Sequence, residues 1–289
     1  MENNQDWIEL LKTNVPLFNT KIKVVPRSNR NMLKGAHLSN LDLSGADING
    51  CDLTNTDLSG SLIPGLSLSR CRLQNTNLNN SRLDDNYWAD VIDQIRFIWQ
   101  GAEIWNDYRK NRSLAIMESS DFSKLNLSGA NFSKMIFATA NFSGASLINC
   151  NLDNTSFLGA NLEGADLSGQ KGVFLDFQEA NLDNASFSRA LLRLSSFKMA
   201  KVNRASFKNA SIQDCNFNDC RGETAEFDQA KITRTLFYNA LLPSSSFVNA
   251  ELNECKFMAA ELYNSSFKGA VISQCDFTAA NIEGTGLEV

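Results

Sequence analysis

From Phe177 to Leu287 a large apolar residue stands at every fifth position, and Gly222 is the sole exception. Along the run Phe alternates with aliphatics, as in Phe187, Leu192, Phe197, Val202, Phe207 and Ile212. Two residues before each of these centres sits a small one, such as Ala180, Ala185, Ala190, Ser195, Ala200 and Ala205. The three remaining positions of each five are mostly Ser, Asn, Asp, Lys, Arg, Glu or Gln. A period of five fits neither the 3.6 of a helix nor the alternation of a strand. It requires a backbone that turns a corner every five residues, with two positions facing in and three facing out.

The alternation of Phe with aliphatics adds a period of ten, so each turn of the chain holds an even number of fives. Two would leave no room for a core; four give a square coil of twenty residues. At that spacing one face reads Phe137, Phe157, Phe177, Phe197, Phe217, Phe237, Phe257, Phe277, and the opposite face carries Phe187, Phe207, Phe227, Phe247 and Phe267. The corners agree. Leu43-Ser44-Gly45-Ala46, Leu127-Ser128-Gly129-Ala130, Phe142-Ser143-Gly144-Ala145 and Phe267-Lys268-Gly269-Ala270 put Gly third in a four-residue turn, and Asn209, Asn239 and Asn249 take the same slot elsewhere. A type II turn needs positive φ there, which Gly and Asn supply at least cost. Neighbouring coils then pair as parallel strands ~4.8 Å apart.

The five-residue beat runs in two sets. The first is centred on Leu33, Leu38, Leu43, Ile48, Leu53, Leu58, Ile63, Leu68, Leu73, Leu78 and Leu83; the second starts near Phe122 and resumes out of phase. Between them, residues 84–117 carry Trp88, Val91, Ile92, Ile95, Trp99, Ala102, Trp105 and Tyr108 at spacings of three and four, the mark of an amphipathic helix that Gly101 kinks or splits. A shorter helix with Trp7, Leu10 and Leu11 is expected over 6–12, ending before Pro16. All four tryptophans lie in these two segments, and Leu17-Phe18-Asn19 matches Ile104-Trp105-Asn106, each ahead of a repeat run. Both read as caps over the end of a solenoid, whose terminal repeat would otherwise expose its apolar face. The expected organisation is an N-terminal cap and lead-in over 1–30, a short first β-helix over 31–85, a Trp-rich helical insert over 86–117 and a main β-helix over 118–289. The last would hold about eight coils in a rod roughly 40 Å long.

Ala46-Asp47-Ile48, Ala130-Asn131-Phe132, Ala160-Asn161-Leu162, Ala165-Asp166-Leu167 and Ala180-Asn181-Leu182 match as they stand the motif A-(D/N)-L-x-x. By these residues, and over roughly four fifths of its length, the chain resembles the pentapeptide-repeat family. Gly101-Ala102-Glu103-Ile104-Trp105-Asn106-Asp107-Tyr108-Arg109 resembles a helical lead-in that often precedes such repeats. The resemblance implies an all-β solenoid: a right-handed quadrilateral parallel β-helix, here with a short N-terminal helix and a helical insert. Two centres break the rule. Gly172 and Gly222 stand where a large side chain belongs, and a bulge or small loop is expected at each.

Composition narrows the function without choosing it. The chain has 32 acidic and 27 basic residues for a net charge of −5, a mild excess that favours solubility over nonspecific nucleic-acid binding. No stretch approaches the ~20 consecutive apolar residues of a membrane span, and the polar, acidic Met1–Asp6 is no secretion signal, so no membrane partner and a cytoplasmic location are expected. Cys51, Cys71, Cys150, Cys215, Cys220, Cys255 and Cys275 all occupy the small inward slot and read as buried core residues. Cys51 and Cys71, like Cys255 and Cys275, are twenty apart and so lie in neighbouring coils; inward stacking and a reducing cytosol argue against disulfides. There is no C-x-x-C pair, and the sole histidine, His37, falls at an outward slot, so no metal site, cofactor or catalytic group is expected.

What remains is binding. The resemblance brings in one candidate, since some family members bind gyrase by mimicking DNA with an acidic surface along the rod. That requires carboxylates twenty apart on one face. Asp42, Asp47, Asp52 and Asp57 are five apart and ring one coil, while Glu163, Asp183 and Glu223 share a face beside Lys201, Arg204 and Arg221. Arg189, Arg193, Lys198, Lys201, Arg204 and Lys208 form a basic belt midway along the main rod, ill suited to a duplex mimic. The belt lacks interleaved aromatics, so direct nucleic-acid binding is not expected either. Outward apolar residues are the better lead: Leu236, Tyr238 and Met258 in adjacent coils, with Met199 nearby, form the candidate interaction patch. A homodimer through an uncapped C-terminal coil is a further expectation. The reading is a non-enzymatic scaffold that binds an unidentified protein through a rigid surface, with a DNA-mimicking inhibitor or protector of gyrase or another type II topoisomerase as the alternative.

Overall fold

The computed structural model describes residues 3–65, 68, 70–83, 87–110 and 117–287, with backbone alone at 87–91 and 93. The chain falls into two compact units, Met1–Tyr108 with Ser119–Asp121, and Arg109–Glu118 with Phe122–Val289.

The first unit opens with helices α1 (Asn4–Thr13) and α2 (Val15–Ile22). Asn3 and Asp6 form a reciprocal capping box at the start of α1. Asn14 ends α1 and caps α2, accepting from Leu17 N at 3.1 Å, and Pro16 lies in the first turn of α2. By sequence Pro16 marks only the end of the first helix. At the first turn of a helix its missing N–H has no partner to lose, so it starts the second helix instead. Trp7 meets the buried Phe18 edge-on at 5.8 Å. Asn19 then ties the helix to the coils, donating to Gly45 O at 2.8 Å and accepting from Asp47 N at 2.7 Å.

Parallel bridges His37↔Asp57, Asp57↔Asn77, Asp42↔Leu62 and Asp52↔Arg72, with strands β1 (Leu62–Ile63) and β2 (Arg82–Leu83) in register, place residues twenty apart side by side. Arg30, nearly buried, donates to the carbonyls of Val25, Ile22 and Asn49, satisfying a charge without a carboxylate. The insert is two helices, α3 (Tyr87–Trp99) and α4 (Ala102–Arg109), parted at Gly101, whose φ of +102° no helix accommodates. Ile92, Ile95, Trp99 and Trp105 of the expected stripe are buried; the side chains of Trp88 and Val91 lie outside the described residues, as does the stretch 111–116.

The second unit is a right-handed parallel β-solenoid of square coils. Its six-stranded sheet, β3 (Lys171–Val173), β4 (Leu191–Arg193), β5 (Ser211–Gln213), β6 (Lys231–Thr233), β7 (Glu251–Asn253) and β8 (Val271–Ser273), is parallel throughout with neighbours twenty apart. We call the four faces A (centred on Phe177, Phe197 and so on), B (Val202, Leu242), C (Phe187, Phe207) and D, which holds this sheet. On faces A and C the rings stack along the axis, as in Phe197–Phe217 at 4.4 Å and Phe207–Phe227 at 4.9 Å, both near-parallel. Across the core the two columns meet edge-on, Phe187–Phe197 at 5.6 Å and 81°. Both are favoured aromatic geometries, so alternation in sequence becomes two interlocked ladders.

At the corners the third turn residue has positive φ, +59° at Glu179 and +57° at Asn209, and the fourth donates back, Ala180 N to Phe177 O at 3.1 Å. All seven cysteines are free thiols, six buried and Cys275 half-buried.

Neither glycine fault produces a bulge or loop. Gly172 sits within β3, in register with Leu192, and its missing side chain is replaced from within the coil. The side chain of Leu175, in a slot that is usually small, lies where a Cβ on Gly172 would be, with Cγ 2.8 Å from that point. Gln170, fully buried in the preceding small slot, donates Nε2 to Cys150 O at 2.6 Å and Lys171 O at 3.2 Å. Gly222 is filled from the neighbouring coils by Val202 and Leu242, whose Cδ2 is 3.2 Å from the Cβ position. Packing is conserved by volume, so the backbone needs no extra residue.

Candidate interaction surface

Leu236 and Tyr238 occupy two outward slots of face A, half-buried, and Met258 is exposed in the slot next to Tyr238 one coil on. The bridge Leu236↔Lys256 and the bond from Asn239 N to Met258 O at 3.1 Å set these two coils in register. Met199 does not join them. It is 50% exposed, but the coil holding Asn218 and Asp219 separates it from Tyr238.

The apolar surface instead continues round the corner onto face B. Leu241 and Tyr263, each 39% exposed, fill outward slots there, and the buried turn residue Pro243, in Leu241's own coil, precedes Tyr263 in its column. Ser244 N donates to Tyr263 O at 2.9 Å and Leu241 bridges Glu261, so Tyr263 lies one coil beyond Leu241. Pro is favoured second in such a turn. The sequence reading compared residues twenty apart on one face and so missed Leu241 and Tyr263. Their signal was the spacing of twenty-five between Tyr238 and Tyr263, one coil plus one corner. Two charges stand among them and are engaged: Lys256, beside Leu236, pairs with Asp276 at 3.8 Å, and Glu261, beside Leu241, accepts from Asn281 at 2.9 Å.

Elsewhere the polar side chains serve the fold. Asp42, Asp47, Asp52 and Asp57 each accept the backbone N–H two residues on, at 2.9–3.2 Å, and so cap their own turns. Hydrogen bonds from Ser44 and Ser59 hold the carboxyls of Asp42 and Asp57 below the usual value. In the face B column, Asn203 donates to Asp183 from N and Nδ2 at 2.9 and 2.8 Å and accepts from Glu223 N at 2.9 Å. That column continues with Pro243 and Tyr263, so its acidic run ends there. The six basic residues of the belt circle one coil rather than line a face, and Lys208 is paired with Glu226 at 2.8 Å. Burial pushes the thiols of Cys51 and Cys150 up to about 12 and that of Cys215 up to about 11, which keeps them neutral. His37 is exposed. Among the described residues no group of three His, Cys, Asp or Glu is placed to hold a metal ion, and no helix is long and apolar enough to cross a membrane.

Square coils of four five-residue faces, a stacked apolar column on each, and surface variation confined to outward slots define a repeat solenoid whose function is carried by its exterior. The pentapeptide-repeat family model matches in eight copies over residues 32–62, 136–169 and 255–287. Over these three stretches the chain carries repeats of the pentapeptide-repeat family. A second model, that of the SV2A/B/C luminal domain, matches residues 174–267, all within the coils. No curated protein matches the sequence. Among solved structures, HetL, a pentapeptide repeat protein involved in heterocyst differentiation regulation from the cyanobacterium Nostoc sp. strain PCC 7120, is 18% identical. It covers 86% of this chain and 85% of its own with a TM-score of 0.54, a likeness of fold. Full-length QnrB1, a plasmid-mediated fluoroquinolone resistance protein, is 15% identical over 61% of this chain and 91% of its own with a TM-score of 0.24. Rfr23 from the cyanobacterium Cyanothece 51142 is 15% identical over 40% of this chain and 86% of its own, at 0.27.

Proposed function

We propose that the protein is a non-enzymatic, rigid interaction rod that docks a protein partner on the apolar edge formed by Leu236, Tyr238, Leu241, Met258 and Tyr263. The observation that carries this reading is the gathering of five apolar side chains into outward slots of two adjoining faces and two adjacent coils, where the repeat mostly places polar residues. Two of the five are tyrosines, the kind of residue that dominates binding hot spots. The coil beneath is fixed by stacked rings and a continuous ladder, so docking demands little reordering of this side of the interface. The alternative, a DNA-mimicking inhibitor or protector of a type II topoisomerase, would use a run of carboxylates along the rod, and the column through Asp183 and Glu223 is interrupted by Asn203, Pro243 and Tyr263.

The test is affinity capture from the native host with the full chain and with a Tyr238→Ser/Leu241→Ser variant, compared quantitatively. A protein retained by the first and lost by the second, with the thermal midpoint unchanged, supports the edge. Identical captured sets refute it. Titratable inhibition of gyrase supercoiling by both chains would favour the alternative.

A further inference from the structure

Face D carries a second apolar cluster, on two coils well before the edge just described. Phe174 is 54% exposed, Leu191 46% and Leu194 44%. The ladder sets Lys171 beside Leu191 and Val173 beside Arg193, and Phe174 N donates to Arg193 O at 3.1 Å. Phe174 and Leu194 are therefore neighbours in one corner column, with φ of +57° and +52°. That conformation is unfavourable for a bulky side chain. The other described residues of the column are polar: Lys134, Asn154, Asp214, Arg234, Glu254 and Gln274. Two large apolar residues thus stand exposed in a strained slot where neither burial nor a local hydrogen bond compensates them, a combination that collects at functional sites.

Among the described residues, the charges left unpaired around them are basic. Lys171, Arg189 and Arg193 are all exposed, and among the described residues none is held in a side-chain ion pair or hydrogen bond. The nearby carboxylates are engaged. Asp214 accepts from Arg234 Nε at 2.7 Å and Nη2 at 3.0 Å, and Asp153 accepts from Val173 N at 3.1 Å. We infer that this surface, Phe174, Leu191 and Leu194 framed by Lys171, Arg189 and Arg193, docks a short acidic and apolar segment of a partner protein lying across face D.

Charge and extent select that occupant. The cluster spans two coils, too little for a stable domain-to-domain contact, which takes ~800 Å² from each partner. A segment crossing the rod would meet the three cations and three apolar side chains alone. A flat anionic bilayer would have to lie along the face, where Asp214 and Arg234, like Glu251 and Lys231, are paired and offer no net positive charge, and where Asp153 and Glu254 are acidic. The site shares no residue with the edge that carries the proposed function, so either can fail without the other.

The strained slot supplies a variant that separates structure from binding. Asn is well suited to positive φ, so Phe174→Asn/Leu194→Asn relieves the backbone while removing the apolar pair. The probe is a fluorescein-labelled peptide of about twelve residues alternating Glu with Leu, read by anisotropy against the full chain. A matched peptide with Lys in place of Glu serves as control. The acidic peptide is expected to bind saturably and the basic one not. The Asn pair should weaken binding about tenfold or more while the thermal midpoint holds or rises, and Lys171→Glu/Arg193→Glu should weaken it as far. Tyr238→Ser/Leu241→Ser should leave it unchanged. No binding by the acidic peptide, or parent-like affinity in either the Asn pair or the Glu pair, overturns the inference. Retention on phosphatidylserine vesicles by the parent chain alone would also overturn it, assigning the face to lipid.

Discussion

Leu175 occupies the space that Gly172 leaves in the core, and the two residues are halves of one packing solution. The normal arrangement, a large centre with a small residue two before the next, is inverted here, so each residue is wrong for its slot and right for the other. Gly172→Leu alone overpacks the coil and is expected to cost about 1–3 kcal/mol. Leu175→Ala alone opens a cavity and costs about 2–5 kcal/mol. The double variant restores the regular repeat, and its loss should fall short of the sum by at least about 1 kcal/mol. Denaturant midpoints of the four chains measure this. Additive losses would mean that the two side chains do not share a space.

Phe197 packs between Phe177 at 5.1 Å and Phe217 at 4.4 Å and meets Phe187 and Phe207 edge-on at 5.6 and 5.7 Å. Phe197→Ala interrupts one ladder and removes its edge-on contacts with the other, and should cost about 3–5 kcal/mol, the upper range for a core truncation. Phe197→Leu keeps most of the volume and should cost clearly less. Equal losses on thermal or chemical unfolding would show that ring stacking adds little to simple burial.

The solenoid was legible because its rule is short. One large and one small inward residue per five fixes the coil at twenty residues and sorts Phe from aliphatics by face, with Gly or Asn marking some of the corners and residues such as Glu179 others. The same rule misjudged its exceptions. Gly172 and Gly222 looked like faults because a one-dimensional period cannot show that Leu175, Gln170, Val202 and Leu242 supply the missing volume from other positions. Pro16 looked like a stop because its place in the second helix depends on Asn14 serving two helices. On the surface, columns twenty apart revealed Leu236, Tyr238 and Met258 but not Leu241 and Tyr263, which adjoin them only round a corner. The cluster at Phe174 and Leu194 was hidden differently: both occupy the turn slot, where an apolar residue is informative only once the left-handed backbone is known.

The buried thiols predict an alkaline limit to stability. Desolvation raises Cys51 and Cys150 from 9.0 to about 12 and Cys215 to about 11, so the folded chain holds protons that the unfolded chain releases. Their contribution is complete below pH 9 and is lost as the pH climbs through 11 to 12. Each unit corresponds to ~1.4 kcal/mol per thiol. Asp42, Asp57, Asp214 and Asp276 lie below the usual 3.8 through hydrogen bonds, so their smaller support fades only as the pH falls below that value. The thermal midpoint should decline steeply above about pH 9. A Cys51→Ala/Cys150→Ala/Cys215→Ala chain should lose less between pH 8 and pH 10.5 than the parent. An equal loss in both would place the alkaline limit elsewhere.

Cys275 is expected to react first among the seven cysteines. It is half-buried where the other six are buried. A hydrogen bond with Cys255 in the neighbouring coil lowers its thiol to about 7, while the same bond and burial push Cys255 upward. Thiolate is the nucleophile, so alkylation of the native protein by iodoacetamide at pH 7.5 should fall on Cys275. Its rate should rise about tenfold per pH unit below the midpoint and level off above it. Cys255→Ala removes the hydrogen-bond partner and should move that midpoint up toward 9.0. Peptide mapping by mass spectrometry across pH 5 to 9 reads both effects. Labelling spread evenly over Cys275, Cys51 and Cys150, or a midpoint unmoved by Cys255→Ala, would show that the two thiols are not coupled.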